Sequence, residues 1–167
     1  MKKNVILSLM MLVGFKIHAQ SIQFKADINM VGKNVDSFIG ESKKLQGGFV
    51  EKKADGKNIL EAENISVVVE DLKTGNETRD GHLYKKMESS KYPKIELLKA
   101  KASNGKGVCL IKIKDVKQKV PFTYKIENNK ALVEMKISLS KFKFETISYM
   151  GVSVGDEILI TGSIPKL

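Results

Sequence analysis

Apolar residues recur at a spacing of two along most of this chain. Ile22, Phe24, Ala26 and Ile28 alternate with Gln23, Lys25 and Asp27. Ile65, Val67 and Val69 share one side of a second segment, and Cys109, Ile111 and Ile113 share one side of a third. Val120, Phe122, Tyr124 and Ile126 follow, then Ala131, Val133, Met135, Ile137 and Leu139, and near the end Ile158, Ile160 and Ile164. Successive side chains of a strand point to opposite faces, so each segment has one apolar and one polar face. Turn signals separate the segments: Asp55-Gly56, Asn104-Gly105 and Asn128-Asn129 each suit a tight reversal. The pattern predicts an all-β, antiparallel domain of about eight strands, arranged as a barrel or a sandwich. One polar stretch, 75–88, breaks the period. Its middle can form one short helix, with Leu83 and Met87 four residues apart on one face.

Charge needs a separate account. The net charge is +10, which invites a nucleic-acid partner, yet Arg79 is the only arginine among 29 basic residues. Specific groove readers rely on bidentate arginine, so no nucleic-acid partner is expected. Part of the charge lies at the start. Met1-Lys2-Lys3-Asn4 precedes an apolar run from Val5 to Phe15, and a small residue follows at Ala19. This reads as a secretory signal over 1–19, leaving one domain over 20–167 in the periplasm or outside the cell. Without Lys2, Lys3 and Lys16, the 29 basic residues become 26 against 19 acidic ones, a charge of +7. Many remaining lysines fall two apart, as at Lys112 and Lys114 or Lys141 and Lys143. That spacing describes a solvated strand face, or else a surface for an anionic membrane or other polyanion.

Nothing in the sequence assembles a catalytic site. His82 is the one histidine after residue 19, no nucleophile elbow is present, and no glycine-rich loop opens a helix. The single cysteine, Cys109, excludes a disulfide framework or a cysteine-rich zinc site. Its neighbours Val108, Leu110 and Ile111 favour burial. The expectation is a protein without catalytic residues, metal or cofactor.

The segment from Asp71 to Leu83, with Thr74-Gly75, then Arg79-Asp80 and His82, followed by Lys91-Tyr92-Pro93, resembles the signature of the YceI-like family. Ile39-Gly40-Glu41-Ser42, Ile111 to Val116, and Ser148 to Glu157 resemble its flanking strands in the same order. Asp115 stands where that family usually has glycine. The resemblance implies an eight-stranded, lipocalin-like antiparallel barrel with a helix against it. It also implies a periplasmic or secreted protein that binds a long isoprenoid or similar amphiphilic lipid in its lumen. The residues themselves leave two readings open, since inward apolar faces can enclose a ligand or pack against one another. In the second, a side-chain-filled barrel would act as a stress-related or interaction protein through its basic outside.

With a lumen, the residues expected to line it are Phe24, Ile28, Ile65, Val67, Val69, Phe122, Tyr124, Val133, Met135 and Ile137. Tyr124 is either an ordinary core residue or a hydroxyl for a polar head. Among the motif residues Thr74, Gly75, Arg79, Asp80, His82, Tyr92 and Pro93, the pair Arg79 and Asp80 is expected to fix a loop at the barrel end, each with its own partner. The rival role for Arg79 is contact with an anionic head group.

Overall fold

The computed structural model describes residues 20–30, 32–149 and 151–167. The signal sequence expected over 1–19 lies outside the described residues. The strands are β1 (Ser21–Met30), β2 (Lys33–Ser42), β3 (Leu45–Gln46), β4 (Phe49–Ala54), β5 (Lys57–Val68), β6 (Lys94–Ser103), β7 (Lys106–Ile113), β8 (Val116–Glu127), β9 (Lys130–Ser138), β10 (Ser148–Tyr149) and β11 (Val152–Pro165). One α-helix, α1 (Glu77–Met87), lies between β5 and β6. Eight strands are eight residues long or more; β3, β4 and β10 are short additions.

All the strand pairs are antiparallel, in the order β2-β1-β11-β9-β8-β7-β6-β5-β3. The two edges of this sheet belong to one bent segment, 33–54. Its first part pairs with β1 and its second part with β5. Two bridges tie the seam, Glu41 with Lys73 and Phe49 with Lys166. The sheet therefore curls back on itself as a lipocalin-like barrel, and curling shelters edges that would otherwise be open to pairing.

The two barrel ends differ in their turns. Asp55-Gly56, Asn104-Gly105 and Asn128-Asn129 close three hairpins at one end, with positive φ at both residues of each turn. Turns of that shape match the strand twist, and Asn, Asp and Gly tolerate it best. The opposite end carries the short β1–β2 and β7–β8 turns together with the two long connections, the segment holding α1 and the loop from β9 to β10.

Packing follows the same polarity. Toward the tight-turn end, Phe49, Leu60 and Phe122 interlock with Ala62, Ala100 and Ala131 and leave a void of only about 20 Å³. Small residues opposite large ones let this floor fill completely. Cys109 is buried, and burial pushes its thiol up to about 12, so it is protonated and inert at neutral pH. Outside, lysines meet acids on neighbouring strands, with Lys112 Nζ 2.7 Å from Glu96 and Lys136 Nζ 2.8 Å from Glu157. Exposed pairs like these add little stability.

Candidate functional site

Above the packed floor the inward faces do not meet. They enclose a cavity of about 970 Å³ that reaches the end covered by α1. Phe24, Ile28, Ile65, Val67, Val133, Met135 and Ile137 stand on its wall. Ile22, Ala26, Ile158 and Ile160 extend the same faces, and Leu97, Ile111 and Ile113 come from the opposite strands. Nearly all of the deep wall is hydrocarbon, and such a space is poor at holding water.

Three expected wall residues sit elsewhere. Val69 is past the end of β5; the chain there enters a 3₁₀ turn, Val69–Asp71, and its N–H donates to the Pro93 carbonyl at 2.9 Å. The side chain is fully buried beneath that turn. Phe122 belongs to the packed floor. Tyr124 lies farther toward the tight-turn end, its ring 6.3 Å from that of Phe122, and is partly buried against the core. Strand alternation identifies the inward face, but not the level at which a filled floor gives way to a cavity.

The helix at the mouth is positioned by the motif residues. Asn76 caps α1 by accepting the Arg79 N–H at 3.0 Å. Asp80 is buried and accepts from the Thr74 N–H at 2.8 Å and from its hydroxyl at 2.6 Å. Gly75 takes φ +75 between them. Lys73 pairs with Glu41 through the backbone, while its amine donates to the Tyr84 hydroxyl at 2.7 Å. Pro93 anchors the 3₁₀ turn, and the Tyr92 N–H closes the helix end by donating to the Glu88 carbonyl at 2.8 Å. So held, α1 turns Arg79, His82, Leu83 and Met87 toward the cavity.

Asp80 gives this arrangement a pH dependence. The Thr74 hydroxyl holds its carboxyl below the ordinary value of 3.8. A carboxylate lowered on folding stabilises the fold above its unfolded pKa, and that contribution disappears as pH falls through the lower folded value. Asp80→Asn is expected to cost about 1–2 kcal/mol at neutral pH, the difference between a charged and a neutral acceptor. Denaturant titrations of both proteins should converge as the pH falls through the lowered folded-state value of Asp80.

Three charged residues at the mouth adopt left-handed backbone conformations. Glu88, Lys114 and Lys143 have φ of +52, +57 and +58 and all border the cavity. The other non-glycine residues of this kind are Asn or Asp, which tolerate it better. In the β7–β8 turn the positive φ falls on Lys114 rather than on Asp115. Lys114 forms an ion pair with Glu88 and lies 5.3 Å from the centre of the Phe144 ring. These contacts tie the helix end to the β7–β8 turn and to the loop after β9.

Sequence spacing did not single out Phe38 or Phe144, and it assigned Lys114 and Lys143 to solvated strand faces or a polyanion-binding surface, whereas both border the cavity. Ile22 and Ala26 were recoverable, since they alternate in step with Phe24 and Ile28. Among the described residues, no three His, Cys, Asp or Glu side chains gather closely enough to hold a metal ion. No described helix is long and apolar enough to cross a membrane.

The family model for the YceI-like domain matches residues 15–165. No curated protein matches the chain. Among solved structures, Burkholderia cenocepacia BcnA superposes with a TM-score of 0.57 at 15% identity, over 86% of this chain and 94% of that one. A mutant Campylobacter jejuni YCEI protein with a monobromobimane guest gives 0.54 at 22% identity, over 98% and 96%. Both likenesses concern the fold.

Proposed function

Since this chain belongs to the YceI-like family, we propose that it is a lipid-binding protein that holds one long isoprenoid or related chain in its barrel and carries it through the periplasm or outside the cell. The observation that carries this reading is the 970 Å³ apolar cavity. Water's share of liquid volume is about 30 Å³, and a methylene is similar in size, so at interior packing density the space suits a chain of about 20–30 carbons. Burial contributes about 0.8 kcal/mol per methylene and asks for no polar partner deep in the wall. Carriage needs no catalytic group. The secretory signal read from residues 1–19 supports a destination outside the cytoplasm. A barrel filled by its own side chains, acting through its lysines, fits less well because the inward faces stand apart.

The test is organic extraction and native mass spectrometry of the purified protein. One reproducible isoprenoid or fatty chain per protein is expected, or one-to-one uptake of added geranylgeraniol. A ligand-free protein that also rejects added chains overturns the proposal.

A further inference from the structure

The lipid reading leaves the polar end of the ligand unspecified, and the cavity mouth has a definite chemistry there. Arg79 lines the cavity on α1, its guanidinium 4.5 Å from the centre of the Phe38 ring. Phe38 in turn meets Phe24 edge to face, with centroids 6.1 Å apart. Both rings border the cavity. The wall therefore grades from a cation, through two aromatic rings, to the aliphatic faces of Ile22 and Ile160. That gradient complements an amphiphile with a charged head and an apolar tail.

The sign of the head follows from the rim. Arg79 and Lys86 are seven residues apart, so both fall on the lumen side of α1, with His82 and Leu83 between them. Neither cation forms an ion pair among the described residues, and Lys143 on the facing loop has none either. Two carboxylates also border the cavity. Glu88 is taken by Lys114, which leaves Glu145 as the one acid against these three cations. The guanidinium sits over the Phe38 ring, and its N–H groups remain able to grip a planar or tetrahedral anion.

The geometry points to an anionic head-group site at the cavity mouth, in which Arg79, supported by Lys86 and Lys143, selects a carboxylate or phosphate at the end of the bound chain. This rests on the lipid-binding reading, and the test separates the two. Oleic acid is compared with oleyl alcohol, and geranylgeranyl monophosphate with geranylgeraniol, by competition against one fluorescent chain probe. In each pair the anion is expected to bind at least about tenfold more tightly, the scale of one charge-assisted contact. The stronger of the two anions identifies the head chemistry. Arg79→Gln should bring each pair within about threefold, Arg79→Lys should keep part of the preference, and Lys86→Gln, an exposed change, should reduce it without affecting the fold. Equal binding of anion and alcohol by the unaltered protein overturns the head-group site and leaves lipid binding standing. A preference that survives both Arg79→Gln and Lys86→Gln also overturns it. If neither member of either pair binds, both readings fail.

Discussion

Ile160→Trp is expected to weaken binding of a twenty-carbon isoprenoid by about a hundredfold while leaving the barrel folded. Ile160 lies opposite Phe24 on β1 and Met135 on β9, halfway along the lumen wall. An indole at that position projects into space the ligand needs and displaces about four methylenes of chain. At about 0.8 kcal/mol each, the loss is about 3 kcal/mol, or somewhat more than a hundredfold in affinity. Stability should change by less than about 1.5 kcal/mol, because the new side chain enters a cavity rather than a packed core. Leu97→Trp on β6, four strands away around the sheet, should do the same from the opposite wall. Val108→Trp serves as the control, since Val108 is half exposed on the outer face. Titration of each variant with one fluorescent isoprenoid, alongside thermal melts, separates the outcomes. A folded Ile160→Trp protein that binds as tightly as its parent would place the ligand outside the lumen.

The contrast between wall and floor also explains how much the sequence disclosed. A period of two reports orientation, and it marked the inward faces of β1, β7 and β9 because that face is buried on β7 and β9 and at least half-buried on β1. The three Asn, Asp and Gly turns were equally legible, since their chemistry is local. Depth along the barrel is not local. Phe122 and Met135 are register partners across β8 and β9, yet Phe122 helps to fill the floor while Met135 also borders the cavity. What separates them is whether small residues such as Ala62 and Ala100 stand opposite, on strands far away in sequence. The β2 segment was harder still. It exposes Val35 and Ile39 and turns Phe38 inward, so its apolar residues show no useful alternation. The Arg79–Phe38 contact joins segments about forty residues apart, and no spacing rule anticipates it. Motif resemblance marked Arg79 and Asp80; the fold shows that one faces the lumen and the other secures the helix.

Gly107→Val is expected to destabilise the protein by about 3 kcal/mol or more, with a fall in melting temperature of about 10 °C, through the floor rather than the site. Gly107 pairs with Ala102 on one side and Phe122 on the other. A Cβ there would collide with the Ala102 methyl, lie 2.6 Å from the Phe122 ring, and lie 2.7 Å from the Lys101 carbonyl oxygen. Two of these neighbours are backbone or fixed to it and cannot swing aside. Gly40 has an equally crowded position with a different outcome. Its added Cβ would overlap the end of the Phe24 ring, and that ring borders the lumen, toward which it can rotate. Gly40→Ala should therefore stay folded and lose affinity for a long chain, because the displaced ring narrows the cavity beneath Arg79. Denaturant unfolding and lipid titration of the two variants test the distinction. A marked loss of stability in Gly107→Val with none in Gly40→Ala requires a rigid floor under a yielding wall. Equal losses in both would show that the lumen is packed as tightly as the floor.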